Sequence, residues 1–296
     1  MDITLIKSFL EVASTGSFVA ASERLYVTQS AVSLRIQRLE DSLGQQLFTR
    51  SKAGAELTGA GKEFERYALS LIKLWEEARQ QVAIPPGFHH SLTIGGQYSL
   101  WHRLGFRWID RMQAAMPDLS VRAELGMPDR LTRFLVEGVV QAALLYTPQL
   151  RPGLQVEELL QDELVLVASW PDPTLDLEGR YVFVDWGPEF IHAHAAALPG
   201  LTGSGLTMAL GALSGDYIVN RRAAGYLPAR SVQRHLDAGR LHIVAEAPSF
   251  HYPAWVVWRE DLDPDIRKAA RDALVAVAGE AEDEQEHLLE RMVGQA

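Results

Sequence analysis

The stretch Phe18-Val19-Ala20-Ala21-Ser22-Glu23-Arg24-Leu25-Tyr26-Val27-Thr28-Gln29-Ser30-Ala31-Val32-Ser33 decides how the N-terminal part of this 296-residue chain folds. Ser17, just before it, suits a helix N-cap, because a short hydroxyl side chain accepts from the unpaired amides of a first turn. A helix from about Phe18 to Leu25 follows, with Ala20, Ala21 and Leu25 inward, and the small Ala21 lets another helix approach closely. Tyr26-Val27 is the turn. Thr28 is the next N-cap, opening a helix from Gln29 to about Leu43 that Gly44 closes. Val32, Ile36, Leu39 and Leu43 fall on one stripe of that helix, so Ser30, Ser33, Leu34 and Gln37 point away from it. Arg35 and Arg38 flank the stripe, and the helix carries no acid before Glu40-Asp41.

Working outward, Ile3, Ile6, Phe9, Leu10 and Ala13 recur at helical spacing up to Thr15-Gly16. Three short helices with a tight turn before the last make a helix-turn-helix. Leu47 to Thr58 reads as two short strands around a glycine-containing tip, a wing bearing Arg50 and Lys52. From Lys62 to Val82 the residues Phe64, Ala68, Leu71, Trp75, Ala78 and Val82 alternate spacings of four and three, the coiled-coil period, which predicts a dimerisation helix. Pro85-Pro86-Gly87 ends it as a stiff linker. The expected division is a DNA-binding domain over 1–60, a linker helix and hinge over 61–90, and a regulatory domain over 91–296.

Beyond the linker, strand-like and helical runs alternate, the pattern of a mostly parallel α/β domain. The strand candidates are Leu92–Gly96, Ser120–Leu125, Ala142–Tyr146, Leu164–Ala168, Tyr181–Asp185, Leu241–Val244 and Trp255–Trp258. The helical ones are about Trp101–Ala115, Asp129–Glu137, Thr207–Leu213, Arg230–Ala238 and Ile266–Gly279. The acidic run Glu280–Glu290 reads as a solvated helical extension, with a partner-binding tail as the alternative.

Composition narrows the function classes. With 47% hydrophobic and 22% charged residues the chain is neither disordered nor a membrane protein by composition. Its apolar runs are broken before the ~18 residues that a span needs, and Met1-Asp2-Ile3 does not open a signal pattern, so a cytoplasmic location is expected. Zero cysteines exclude disulfides, thiolate chemistry and zinc-finger sites. The net charge of −10 sits badly with a DNA binder until its distribution is considered: residues 1–90 carry 10 basic and 10 acidic side chains, and the whole excess of acid lies in 91–296. Such a domain repels a phosphate backbone and leaves the N-terminal module to touch it.

The quoted stretch, with Arg38-Leu39-Glu40, Leu43-Gly44, Leu47-Phe48-Thr49-Arg50 and Leu57-Thr58-x-Ala60-Gly61, strongly resembles the signature of the LysR-type transcriptional regulators. The match covers about the first 65 residues, and the remainder agrees in length and element order. Ser99-Leu100-Trp101 and Asp185-Trp186-Gly187-Pro188-Glu189-Phe190 are similar to the branch that includes an enterobacterial regulator of flagellar genes. The resemblance implies an α/β protein with a winged helix-turn-helix, a long linker helix, and a periplasmic-binding-protein-like effector domain of two α/β subdomains. It further implies a homotetramer built as a dimer of dimers, bound to an interrupted palindrome in double-stranded DNA that it bends, with the bend altered by a small-molecule effector. RNA polymerase is an expected partner, and no cofactor is expected. Family members commonly carry arginine where Leu34 stands, so an arginine base contact does not transfer to this chain.

In the major groove, short polar side chains and apolar contacts read base edges while cations and backbone amides hold phosphates. Gln29, Ser30 and Ser33 are therefore the expected base readers, with Leu34 packing on a thymine methyl. Thr28, Arg35, Arg38, Arg50 and Lys52 are expected to position phosphates. The alternative for Arg35 and Arg38 is pairing with Glu23, Glu40 or Asp41. For the sensor, ligands of open α/β sheets settle at the carboxyl ends of strands near helix N-termini. Gln97, Tyr98 and Ser99, Met127, Trp186, and Ser204 before the Thr207 helix occupy such places, and Ser99 with backbone amides could hold a carboxylate or similar anion. These residues are expected to line one cleft; the alternatives are a plain N-cap for Ser99 and core packing for Trp186. His192-x-His194 is not a metal pair, because residues two apart do not share a helical face. No catalytic constellation stands at a recognisable spacing, so the chain reads as a binding protein rather than an enzyme.

Overall fold

The computed structural model describes residues 2–293 except Lys52, Ala53 and Glu178, with the backbone alone for Arg103 and for residues beyond Glu282. The chain divides in the main into two compact units, one up to Ala83 and one from Ile84 onward.

The first unit contains α1 (Ile3–Thr15), α2 (Phe18–Arg24), α3 (Gln29–Leu43), β1 (Phe48–Ser51), β2 (Gly54–Leu57) and α4 (Gly59–Val82). Each helix is opened by a side-chain oxygen: Asp2 accepts from the Thr4 amide, Ser17 from Ala20, Thr28 from Ala31 and Thr58 from Gly61. Gly16 and Gly44 close α1 and α3 at φ of 63° and 67°, a left-handed conformation that glycine adopts without a Cβ clash. Phe9 lies at the centre of the core, its ring 5.3 Å from Phe48 and 5.0 Å from Phe64, so that α1, the wing and α4 meet around one aromatic cluster. Val32, Ile36 and Leu39 are buried in that core as their spacing predicts, whereas Leu43, expected with them, is exposed in the last turn of α3.

The linker helix corrects the sequence reading most. Ala68, expected in a dimer seam, is 0% exposed within its own unit, and Phe64 and Leu71 pack on the same core together with Ile72. The period recognised in the sequence therefore merges two stripes: an inner one that docks α4 on α1, and an outer one of Tyr67, Leu74, Trp75, Ala78 and Val82 that stays exposed. Lys7 Nζ (3.0 Å) and Arg79 Nη1 (2.7 Å) converge on the buried Glu76 carboxylate and hold α4 to α1.

The second unit has two subdomains. The first is a five-stranded sheet in the order β4-β3-β5-β13-β6, from β3 (His90–Gly96), β4 (Leu119–Leu125), β5 (Ala142–Leu145), β6 (Leu154–Leu160) and β13 (Ala254–Arg259). α5 (Tyr98–Leu100), a π-turn at Trp101–Gly105, α6 (Phe106–Ala115) and α11 (Pro264–Val293) supply its main core, and α7 (Pro128–Glu137) carries a smaller cluster built around Leu131 and Leu135. The second subdomain is centred on β7 (Glu163–Ala168), which pairs with β10 (Ala224–Pro228), β11 (His242–Ile243) and β12 (Phe250–His251); β8 (Phe183–Val184) and β9 (Thr207–Met208) form a parallel pair beside it. α8 (Pro188–Ala197), α9 (Ser214–Val219) and α10 (Ala229–Asp237) complete it.

In the first subdomain the mostly parallel sheet expected from the alternating pattern holds only for β3 with β4 and β5. β13 runs antiparallel to β5 and β6, and every partner of β7 is antiparallel to it. The chain leaves the first subdomain after β6 and returns at β13, and that return reverses the strand direction. The Thr207–Leu213 helix is also absent: Thr207-Met208 is β9, and the helix starts at Ser214. Two segments, Leu160–Glu163 and His251–Ala254, carry the chain between subdomains, and they meet where the Tyr252 amide donates to the Asp162 carbonyl at 2.7 Å. Among the described residues no helix is long and apolar enough to cross a membrane.

A Cβ on Gly61 would stand 2.2 Å from the Leu47 carbonyl oxygen, whereas one on Gly59 meets nothing within 4 Å. Gly61→Ala is expected to destabilise the first unit by about 1–3 kcal/mol. Gly59→Ala should be neutral or stabilising by up to about 1 kcal/mol. Urea unfolding of the two variants followed by circular dichroism checks the contrast.

Candidate DNA interface and ligand cavity

α3 carries the expected DNA-facing residues at one end. The Thr28 hydroxyl caps the helix and lies 3.0 Å from the Ser30 hydroxyl. Gln29 and Ser30 are exposed, Ser33 is half-buried, and Leu34 is 48% exposed. The opposite face is sealed into the core, so this row has one direction in which to act. Arg35 pairs with none of the acids considered for it; its Nη1 donates to the Ser8 hydroxyl at 3.3 Å, across to α1. Arg38 is exposed and has no acidic partner among the described residues. Glu40, one of the three candidate partners, is occupied, its Oε1 accepting from the amides of Leu47 (2.8 Å) and Phe48 (3.3 Å) and so joining α3 to the wing. Arg50 stacks its guanidinium 4.1 Å over the Phe18 ring, and its polar edge remains in solvent. Lys52 lies outside the described residues.

In the second unit the expected effector residues do not share one cleft. Gln97 uses its side-chain oxygen to accept the Tyr146 amide at 2.8 Å. It also occupies the cap position of α5 that Ser99 was a candidate for. Ser99 instead accepts the Ala212 amide at 3.1 Å, tying the two subdomains together. Met127 is exposed away from that junction. Trp186 is a core side chain, 5% exposed, with its indole N–H donating to the Tyr226 carbonyl at 2.9 Å, behind the Gly211 turn that Ser99 holds. Ser204 organises its own loop, 2.8 Å from the carbonyl oxygens of Tyr181 and Leu206, and opens on a separate hollow beside Tyr181. With no helix at Thr207, the anion-binding terminus expected there does not exist.

Tyr98 and Ser99 do line a cavity of about 260 Å³ between the subdomains. Its first-subdomain wall is Trp101, His102 and Phe106 of the π-turn and the start of α6. Its other wall is mostly α10, through Arg230, Ser231, Val232, Arg234 and His235. Arg230 is 4% exposed; its Nη2 donates to Asp162 at 2.7 Å and to the Tyr146 hydroxyl at 2.8 Å. Tyr146 in turn stacks on Tyr252 with ring centroids 4.0 Å apart. Burial pushes the Tyr146 phenol well above its usual range, so it remains a neutral donor beside the Asp162 carboxylate.

Sequence reading missed Arg230, His235 and the whole α10 wall. Ala224–Pro228 was not recognised as a strand, since its Gly-Tyr and Pro break the expected pattern. With β10 in place, Arg230 stands just past a strand's carboxyl end, where ligands of α/β folds are sought. His194, by contrast, is fully buried and bonded to the Tyr181 hydroxyl at 2.8 Å, while His192 faces solvent, so the two imidazoles point apart.

Two family models match: "Bacterial regulatory helix-turn-helix protein, lysR family" over residues 3–62, and "LysR substrate binding domain" over residues 86–182. The chain is 33% identical over 269 residues to the HTH-type transcriptional regulator HdfR of Escherichia coli, covering 89% of this chain and 94% of that protein. HdfR of Salmonella schwarzengrund is 31% identical with the same coverage. Among solved structures, a full-length OxyR variant from Pseudomonas aeruginosa aligns with a TM-score of 0.56 at 19% identity, over 93% of this chain and 98% of that one. ArgP from Mycobacterium tuberculosis aligns with a TM-score of 0.56 at 23% identity, over 94% and 97%. These two likenesses concern the fold.

Removing one member of a buried ion pair strands the other charge, at a cost of about 3–5 kcal/mol. Arg230→Met is expected to lower stability by that order, and adding Asp162→Asn to it should recover most of the loss, a comparison that denaturant midpoints of both variants decide.

Proposed function

The chain belongs to the LysR family of bacterial transcriptional regulators, and from that premise we propose that α3 reads DNA through Gln29, Ser30, Ser33 and Leu34, under control of a small molecule held in the α10 cavity. The protein is a regulator with a DNA-binding helix-turn-helix and an effector-binding domain, like its relatives, and not an enzyme. The observation that carries the assignment of base readers is the one-sided α3: a sealed apolar face, and an outer face of short polar groups with no acid before Glu40. Gln29 can bond an adenine edge in two places, and Leu34 can cover a thymine methyl. Thr28, Arg35, Arg38, Arg50 and Lys52 hold phosphates, helped by the unpaired amides at the α3 N-terminus.

Two copies join through the outer stripe of α4, in which Trp75, Ala78 and Val82 are supplemented by Tyr67 and Leu74. The resulting two-fold dimer presents two α3 helices to an interrupted palindrome. Dimers of dimers on bent DNA, a contact with RNA polymerase and a cytoplasmic location complete this reading. Tyr98 and Ser99 are the members of the expected effector set that belong to the cavity wall, where they face α10. Because Ser99 also holds the Ala212 turn, a ligand that competes for its hydroxyl would change how the subdomains engage.

Gln29→Ala should cost about 1–3 kcal/mol on the cognate site and relax specificity there, while Arg38→Ala should weaken all sequences alike and reduce the salt slope by about 1. Binding titrations on specific and scrambled duplexes at several salt concentrations separate the two, and equal weakening by Gln29→Ala on both duplexes would remove it from the base readers. Leu74→Asp should halve the oligomeric mass in sedimentation without unfolding the chain, because its side chain is in solvent within one copy.

A further inference from the structure

The α10 cavity specifies a chemistry as well as a place. Three buried nitrogens in its wall have no hydrogen-bond partner among the described residues: Nε and Nη1 of Arg230 and Nδ1 of His235. All three are donors. The two arginine nitrogens carry only N–H groups. His235 accepts from Arg234 Nε at 3.1 Å through Nε2, so the proton of its neutral ring lies on Nδ1. Burial, reinforced by Arg234 and Arg240, holds this imidazole below its usual pKa and keeps it neutral. Arg234 also reaches His102 Nε2 at 2.7 Å, and it meets no carboxylate among the described residues. Asp216, the one acid among the lining residues, is in solvent.

A wall of orphaned donors beside an uncompensated arginine calls for a group that only accepts and carries negative charge. The rest of the wall is apolar, from Trp101, Phe106, Leu227 and Val232. Taking the ~30 Å³ share of a water molecule as a guide, 260 Å³ holds on the order of ten non-hydrogen atoms.

We propose that the cavity binds a small organic carboxylate with an apolar body, its carboxylate seated on Arg230 and His235 and its body against Trp101, Phe106 and Leu227. In charge, Arg230 and Arg234 are then balanced by two carboxylates, Asp162 and the ligand's. The orphaned nitrogens are shielded from solvent, so seating takes a small displacement of α10 or of the Trp101–Gly105 turn. The proposal rests on the reading of this cavity as the effector site, and it names the ligand class and an anchor that the sequence did not disclose.

The test uses matched acid and amide pairs, benzoate with benzamide, phenylacetate with phenylacetamide and cinnamate with cinnamamide, titrated calorimetrically into the full chain. The acids are expected to bind at least about tenfold more tightly than their amides. The paired variant Arg230→Met with Asp162→Asn, which leaves no stranded charge, should erase that difference, and Ser231→Phe, which fills the cavity, should weaken every binder. Equal binding of acids and amides, weakened by Ser231→Phe, would overturn the carboxylate class and leave the cavity as the effector site. Absence of binding by all pairs, or binding indifferent to Ser231→Phe, would overturn both.

Discussion

The buried pair of Asp162 and Arg230 is the constraint on which the effector unit is built. Two charges withdrawn from water are costly unless geometry and further hydrogen bonds repay the loss. Here one Arg230 nitrogen serves both the carboxylate and the Tyr146 hydroxyl, and Asp162 also accepts the Glu163 amide at 3.0 Å. The pair sits where the chain crosses between subdomains, and Tyr252 on the returning crossover is bonded to the Asp162 backbone and stacked on Tyr146. One side chain from α10 therefore locks both crossovers to the end of β5. The same side chain lines the cavity between the subdomains and keeps two shielded N–H groups without a partner among the described residues, so a ligand seated there, as proposed, would act on the group that joins the two halves.

The DNA-reading unit solves a different problem, that of presenting a polar helix face without loosening the helix. Phe9 packs tilted against Phe48 and edge to face against Phe64, and the ends of the helices are closed by Ser17, Thr28, Thr58 and the two left-handed glycines. Glu40 binds the wing to α3 through two backbone amides, which fixes Arg50 relative to Gln29. Charge separation along the chain complements this. The N-terminal 90 residues balance acid and base while the excess acid lies beyond them, which discourages the effector unit from approaching phosphates.

Much of this was legible in the order of residues because it depends on neighbours. Capping needs a hydroxyl or carboxylate a few residues before an apolar stripe, and Ser17, Thr28 and Gly44 satisfy that locally. The recognition helix follows from Val32, Ile36 and Leu39 at a fixed spacing, with Leu34 marking a departure from the arginine common in the family. Where one residue has two candidate partners far away in sequence, the pattern is silent. The apolar spacing of α4 could not tell Ala68, buried on its own α1, from Trp75, left in solvent. Nor did it show that Leu43 lies past the end of the packed core.

The N-terminal module with its wing, the presence of a two-part α/β sensor and the family itself were determined by the sequence alone, because short-range periodicity and capping chemistry encode them. Tertiary structure decided the antiparallel return of β13, the dispersal of Met127, Trp186 and Ser204, and the meeting of Ser99 with the Ala212 turn. It also placed Arg230, which lies 68 residues from Asp162 in the chain and within hydrogen-bond distance of it in the fold. Such a partnership leaves no local trace, since the energy that selects it comes from burying both charges at one crossover.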